Sequence, residues 1–163
     1  MEKNEPDGGT NLIELVRRGG VYYNISGQSP AEVLADAIAT ISLPEGVARE
    51  ALLQAVLERE GLMPTAIGDG IAIPHPRSPM VGDPAEQLVS VCFLQEPIEW
   101  NALDGKPVGT IILLLSASPR LHLKTLSRVN YLCRQASFRS LLAARSSREE
   151  LTLAIEAAER AWG

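Results

Sequence analysis

The sequence has few of the residues that mark several common classes of functional protein. Its 163 residues include two cysteines, two histidines and 4% aromatic residues, and the formal net charge is −5. Lys and Arg are scattered and have no aromatic residues interleaved among them, so nucleic-acid binding is not expected. No apolar run approaches the roughly 18 residues of a membrane span. We therefore expect no membrane insertion.

Other absences indicate a cytoplasmic protein without a cofactor. The first residues, MEKNEPDGGTN, are polar and acidic and lack the basic and apolar regions of a signal peptide. Cys92 and Cys133 each lie in an apolar or helical pattern that is typical of buried cysteines. Because the chain has no CxxC pair and its histidines are far apart, no metal site is predicted.

What is present is a succession of helical and strand patterns that predicts a single α/β domain. Residues 1–10 are predicted to be a disordered tail, and residues 11–163 the domain. Strands are predicted in VYYNI, GIAIP, LVSVCFLQ and VGTIILLLSAS, the last as a central strand buried on both faces. Helices are predicted before and after these strands. This order favours an α-β-α sandwich with a mixed central β-sheet.

Several helix ends are marked by capping residues. Ser29-Pro30 and Ser118-Pro119 each place a capping serine before a proline at the first helical position. SREE, which begins at Ser147, is a capping box for the last helix. A second helix, REALLQAVLERE, is predicted to end at Gly61, and Asp104-Gly105 indicates a turn.

His75 lies between two prolines at the end of an apolar strand pattern, in IGDGIAIPHPRSP. Pro74 and Pro76 fix their own φ angles and bias the preceding residues toward extended conformations, so the imidazole is held in a stiff frame. Imidazole titrates near neutral pH and is a nucleophile when neutral. This segment alone is also explained by a loop histidine that binds a backbone carbonyl.

A second histidine and an arginine could act with His75. His122 lies in the first turn of the helix capped by Ser118, where the helix field attracts anions and disfavours protonation of an imidazole. Arg59 ends the second helix and could bind phosphate oxygens in a bidentate manner, although a solvated cation at a helix end explains it as well. Without a GxSxG elbow or a GxxxxGK[ST] loop, these parts suit a phosphoryl group held on a histidine.

Weaker signals fill the approach to His75. Thr65, Gly68, Asp69 and Gly70 precede it, and such residues allow a tight backbone, orient an imidazole or bind oxygen. A metal-dependent hydrolase that uses His75 and Asp69 with the second histidine, His122, is a further alternative.

Four segments together resemble a known family. LEREGLMPTAIGDGIAIPHPR, VCFLQEPIEWNALDGKPV, LLLSASPRLHLKTLSRV and FRSLLAARSSREEL follow the order of motifs in the EIIA domains of the phosphoenolpyruvate-dependent phosphotransferase system. The resemblance is to the fructose/mannitol type, including its nitrogen-regulatory branch, and it spans about residues 12–160.

The resemblance implies a phosphoryl carrier with an α/β sandwich fold. It places the phosphorylated histidine at His75, which takes phosphate from HPr or a nitrogen-branch HPr. His122 and Arg59 support the transfer, and the remaining pocket residues are Thr65, Gly68, Asp69, Gly70 and Ser127. The phosphate then passes to a cysteine of a IIB domain, or its presence is reported to a regulatory target. We expect the regulatory role because the sequence contains no IIB or IIC segment; homodimerisation is left open.

The sequence also departs from the family pattern. Pro76 stands where the family has Gly, Asp69 where it has Asn or Glu, Pro64 where it has Ser, and Lys124 where some nitrogen-branch members have another histidine. Because Pro76 stiffens the place that a phosphodonor approaches, a binding module that has kept the fold and lost phosphotransfer is the alternative. The carrier hypothesis requires the two imidazoles to lie within about 10 Å of each other.

Overall fold

The computed structural model describes residues 11–162, so the predicted tail at residues 1–10 lies outside them. The helices are α1 (Leu12–Gly19), α2 (Pro30–Thr40), α3 (Arg49–Leu62), α4 (Pro119–Arg134), α5 (Ala136–Ala143) and α6 (Arg148–Trp162). The strands are β1 (Val21–Ile25), β2 (Ala66–Gly68), β3 (Ile71–Ala72), β4 (Leu88–Ile98) and β5 (Val108–Leu115). A 3-10 turn, Pro84–Glu86, precedes β4.

The five strands form one mixed sheet in the order β1-β4-β5-β3-β2. β1 runs parallel to β4 and β3 parallel to β5, whereas the β4–β5 and β2–β3 pairs are antiparallel. Two separate clusters of buried side chains cover the two faces of this sheet. The predicted α-β-α sandwich with a mixed sheet is therefore confirmed.

Successive side chains of β5 contribute alternately to the two clusters of buried side chains. Ile111 and Leu113 pack with the apolar faces of α2 and α3, whereas Ile112 and Leu114 pack with residues of α1, α4, α5 and α6. All four side chains are almost completely buried. Because successive strand residues point to opposite faces, a continuous apolar run is what a strand covered on both sides requires. The prediction of a central strand here is confirmed.

The sequence patterns missed some local features. β2 has three residues and no apolar alternation, and it was not predicted. The helix predicted to end at Gly61 is α3, which ends at Leu62. Ser29 caps α2 as predicted, because its hydroxyl accepts from the N–H of Glu32; the Glu32 carboxylate in turn accepts from the N–H of Gln28, one residue before the cap.

The carboxyl ends of the parallel strands β3 and β5 meet at one edge of the sheet. The chain leaves β3 through Pro74, whose carbonyl accepts from the N–H of Leu114 in β5 (3.1 Å). It leaves β5 toward α4 through Ala117, whose N–H donates to the side chain of Gln87 (2.9 Å). Gln87 is 1% exposed and so ties the start of β4 to this connection. His75 and the first turn of α4 thus follow neighbouring strand ends.

Within residues 11–162, no helix combines the length and the apolar character that crossing a membrane requires.

Gly19 ends α1 directly against β4. A Cβ atom built on Gly19 would lie 2.0 Å from the carbonyl oxygen of Val89, and the Ser90 hydroxyl donates to the Gly19 carbonyl (2.9 Å). The helix backbone therefore touches the strand backbone, and only the residue without a side chain fits.

We predict opposite effects of alanine at two helical glycines. Gly19→Ala should lower the free energy of unfolding by about 1–3 kcal/mol, because neither backbone can yield to the new methyl group. Gly61→Ala in α3, where a Cβ meets nothing within 4 Å, should raise it by about 0.5–1 kcal/mol through helix propensity. Urea unfolding of both variants measures these changes in the free energy of unfolding. An equal increase in both variants would contradict the close contact at Gly19.

Candidate functional site

His75 is held by the backbone that follows β3. Its Nδ1 lies 2.8 Å from the carbonyl oxygen of Ile73, and the side chain is buried, with 9% exposed. A carbonyl can only accept, so Nδ1 carries the proton and Nε2 keeps its lone pair. Both readings of the segment therefore apply together: the imidazole binds a backbone carbonyl, and that bond leaves one nitrogen as a nucleophile.

His122 lies beside His75. The two ring centroids are 4.6 Å apart, with the ring planes inclined at 44°. The side chain of His122 comes from the first turn of α4, whose start is fixed by a bond from the Leu121 N–H to the Ser118 hydroxyl (3.2 Å). The distance between the two rings is well below the limit of about 10 Å that the carrier hypothesis requires.

The first turn of α4 offers fewer free N–H groups than its sequence suggests. Pro119 has none, the N–H of Leu121 binds the Ser118 hydroxyl, and that of His122 binds the Ser118 carbonyl (2.9 Å). Among the described residues of the first turn, the N–H of Arg120 is the donor that does not bind Ser118. The helix start therefore acts on the site mainly through its field.

Burial and neighbouring charges keep both imidazoles neutral. The pKa of His122 is lowered to about 4 by burial, by His75 and by the positive charge of Arg59. Burial also lowers the pKa of His75, and Arg59 adds to this, while the bond to Ile73 and the negative charge of Glu60 oppose it. At neutral pH the pair therefore keeps its lone pairs.

Arg59 lies near the end of α3, close enough for its charge to act on both imidazoles. Its Nη1 donates to the carbonyl oxygen of Met63 (2.8 Å), which holds the guanidinium at the helix end. The structure thus brings Arg59, His75 and His122 together, as the sequence predicts. These are two nitrogen nucleophiles and one cation.

Thr65 is also brought to the site, through backbone contacts. It is buried, its carbonyl accepts from the N–H of Ile73 (3.0 Å), and its hydroxyl donates to the Glu60 carboxylate (2.7 Å). The N–H of Thr65 and the indole N–H of Trp100 bind the same carboxylate. Glu60 and Trp100 were not among the predicted site residues, although Glu60 directly follows Arg59 in the motif.

The structure does not bring Gly68, Asp69 and Gly70 to the imidazole pair. All three have positive φ angles and form the turn between β2 and β3, at the opposite end of β3 from His75. From Gly70 to His75 the chain covers roughly 16 Å at about 3.3 Å per extended residue. These residues shape the hairpin.

Asp69 has partners of its own at that end. Its carboxylate pairs with Lys106 (3.6 Å) and with Arg139 of α5 (3.8 Å), while its N–H donates to Asp104 (2.8 Å). These ion pairs at the turn could not be predicted from the local sequence, because Lys106 and Arg139 lie far along the chain.

Ser127 is exposed and points away from His122. Five residues along an α-helix correspond to about 7.5 Å of rise and about 140° of rotation beyond a full turn. The hydroxyl therefore lies on another side of α4 from the imidazole. Helical periodicity alone would have indicated this.

A cavity of about 230 Å³ lies next to His122. Pro76, Arg77 and Leu123 contribute to its wall. Pro76, which stands where the family resemblance leads us to expect Gly, is itself buried, whereas Arg77 is exposed. The proline therefore forms part of the cavity wall and does not protrude from the protein surface.

In the described part of the chain, no group of three or more His, Cys, Asp or Glu residues is arranged to hold a metal ion. A hydrolase site built from His75, His122 and Asp69 is not assembled, since Asp69 lies at the far end of β3.

Comparison with known proteins identifies the family to which the chain belongs. A family model described as "Phosphoenolpyruvate-dependent sugar phosphotransferase system, EIIA 2" matches residues 14–158. The chain belongs to this EIIA family. The predicted family resemblance is thereby confirmed.

Relatives come from both branches of the EIIA family. The nitrogen regulatory protein of Pseudomonas aeruginosa is 32% identical over 145 residues, which cover 86% of this chain and 91% of that protein. The crystal structure of the nitrogen regulatory protein IIA-Ntr from Neisseria meningitidis superimposes with a TM-score of 0.69 at 26% identity, covering 83% of this chain and 92% of that one. The 2-O-alpha-mannosyl-D-glycerate-specific EIIABC component of Escherichia coli is 26% identical over 151 residues, but the match spans only 22% of that protein.

The lowered pKa of His122 predicts a pH dependence of stability. The unfolded chain protonates this residue near pH 6.5, whereas the folded protein resists protonation until about pH 4. Folding is therefore penalised progressively as the pH falls through that window, and the penalty is absent above it. Between pH 7 and pH 4 the wild type should lose more unfolding free energy than His122→Asn.

Urea unfolding at several pH values measures this difference, because the carboxylates titrate alike in both proteins. Ring-proton NMR gives the pKa directly, since the chain has two histidines and the variant leaves one signal. A His122 pKa near 6.5 would contradict the buried, charge-flanked position.

Proposed function

We propose that this EIIA domain is a histidine phosphocarrier, with His75 as the residue that is phosphorylated. The observation that carries the proposal is the bond from His75 Nδ1–H to the Ile73 carbonyl, beside a neutral His122 only 4.6 Å away. This arrangement presents Nε2 as a fixed, unprotonated nucleophile.

The proposed reaction needs neither a base nor a metal. The Nε2 lone pair of His75 attacks the phosphorus of a phosphohistidine on HPr or its nitrogen-branch analogue. The P–N bond to the donor breaks as the new P–Nε2 bond forms, and the donor imidazole leaves with the electron pair. Nδ1 keeps its proton, and the ring that carries the phosphate gains positive charge, which the Ile73 carbonyl stabilises.

Positioning and charge supply the catalysis in this proposal. Phosphoryl transfer passes through a loose, metaphosphate-like transition state whose charge lies on the equatorial oxygens. The guanidinium of Arg59 is the cation available to bind them, and the field at the start of α4 acts in the same sense. His122 packs against the reacting imidazole and limits the orientations that the ring can take.

The next acceptor is either a cysteine on a IIB domain or a regulatory target. The nitrogen regulatory proteins of Pseudomonas aeruginosa and Neisseria meningitidis are matched over 91% and 92% of their length, which supports the regulatory role. We expect the exchange to take place in the cytoplasm, with phospho-HPr or phosphorylated nitrogen-branch HPr as the donor.

Phosphorylation should depend on His75. With phosphoenolpyruvate, enzyme I and either HPr, the wild type should gain the mass of one phosphoryl group, which acid removes because phosphohistidine is acid-labile. His75→Ala should gain none, and Ser127→Ala, at an exposed position on the same helix as His122, should behave as the wild type. Intact-mass spectrometry reads all three.

The alternative is a regulatory binding module that keeps the fold without phosphotransfer. The feature that favours it is Pro76, a buried wall of the site where the family has Gly. If no donor phosphorylates the wild type while Pro76→Gly is phosphorylated on His75, this second function replaces the first.

Arg59 should accelerate transfer through its charge. Arg59→Gln should slow phosphorylation by about 10²–10³-fold, the usual cost of removing one transition-state donor. Arg59→Lys should retain part of the rate, since it keeps the charge but not the bidentate geometry. Rapid-quench kinetics with phospho-HPr gives the rates. A rate for Arg59→Gln within twofold or so of the wild type would remove the arginine from the mechanism.

A further inference from the structure

We propose that Glu60 is a positioning residue for His75, acting through Thr65 and the Ile73 peptide group. The inference rests on the phosphocarrier function proposed above and assigns a role to a residue outside the predicted site. It follows from a continuous set of hydrogen bonds that joins the end of α3 to the reacting imidazole.

The Glu60 carboxylate gathers three donors. Oε1 accepts from the N–H of Thr65 (2.9 Å) and from the indole N–H of Trp100, and Oε2 accepts from the Thr65 hydroxyl (2.7 Å). Trp100 is 1% exposed and comes from the link between β4 and β5. Bonds from neutral donors to a carboxylate are among the stronger ones in proteins. Thr65 is thus held by both its backbone and its side chain.

The Ile73 peptide group carries this constraint to His75. Its N–H donates to the carbonyl of Thr65 (3.0 Å), and the carbonyl oxygen of the same residue accepts from His75 Nδ1 (2.8 Å). The direction of that carbonyl selects the imidazole tautomer and the ring orientation. Moving Thr65 would therefore move the acceptor that keeps Nε2 deprotonated.

The charge of Glu60 also reaches the imidazole. It raises the pKa of His75, whereas Arg59 and burial lower it. The guanidinium of Arg59 binds the carbonyl of Met63, and the Glu60 carboxylate is engaged with Thr65 and Trp100. These adjacent residues of opposite charge therefore serve different partners.

The test combines nitrogen NMR of the imidazole with phosphotransfer from phospho-HPr. Glu60→Ala removes the acceptor of all three bonds, and we expect a lower fraction of the Nδ1–H tautomer of His75 and a transfer rate reduced about tenfold or more. Glu60→Gln keeps an acceptor oxygen, so its rate should stay within about threefold of the wild type while the pKa of His75 falls. Glu58→Ala, an exposed acid on the same helix, is the matched control and should change neither.

A near-isosteric variant covers the case in which Glu60→Ala does not fold. Thr65→Val removes only the hydroxyl bond to Oε2, and we expect a smaller change in the same direction. The proposal is overturned if the folded Glu60→Ala, or failing that Thr65→Val, keeps both the wild-type tautomer and the wild-type rate.

The two readouts separate this inference from the function on which it rests. The tautomer of His75 is measured without any phosphodonor. If the wild type accepts no phosphate, the phosphocarrier function fails, yet a tautomer that changes in Glu60→Ala and not in Glu58→Ala would still establish the positioning role.

Discussion

The hydrogen bond between His75 Nδ1 and the Ile73 carbonyl is the constraint on which the proposed chemistry of this domain depends. An imidazole without it could protonate on either nitrogen and rotate in its cavity. The bond exists because the chain runs straight out of β3 through Pro74, which is tied to β5 at Leu114. A two-residue strand is enough for this purpose, since the neighbouring long strand supplies the rigidity.

Local signals explain why much of the fold could be predicted. The serine–proline pairs mark helix starts through geometry that involves only the next three residues, and the apolar run of β5 reports its burial on both faces directly. The stiff segment around His75 could be predicted in the same way, because it is indicated by the two flanking prolines. The position of His122 beside His75 could be inferred from the family resemblance. Local sequence patterns alone could not predict it.

What could not be predicted involves partners far apart in the chain. The indole of Trp100 reaches Glu60 across 40 positions, and no periodicity links them. The turn at Asp69 was expected near the imidazole because it is close in sequence, but an extended chain carries it to the opposite end of the strand. Proximity along a strand is a poor guide to a site, whereas the ends of neighbouring parallel strands are a good one.

The adjacent charges of Arg59 and Glu60 give the site its electrostatic balance. Successive residues on a helix point about 100° apart, so the two side chains leave the end of α3 in different directions. Because the carboxylate is bound by Thr65 and Trp100, it does not neutralise the guanidinium as an ion pair would. In the proposed mechanism, the cation therefore stays available to an incoming phosphoryl group. The half-buried carboxylate of Glu60 nonetheless offsets part of the lowering of the His75 pKa that burial and Arg59 cause.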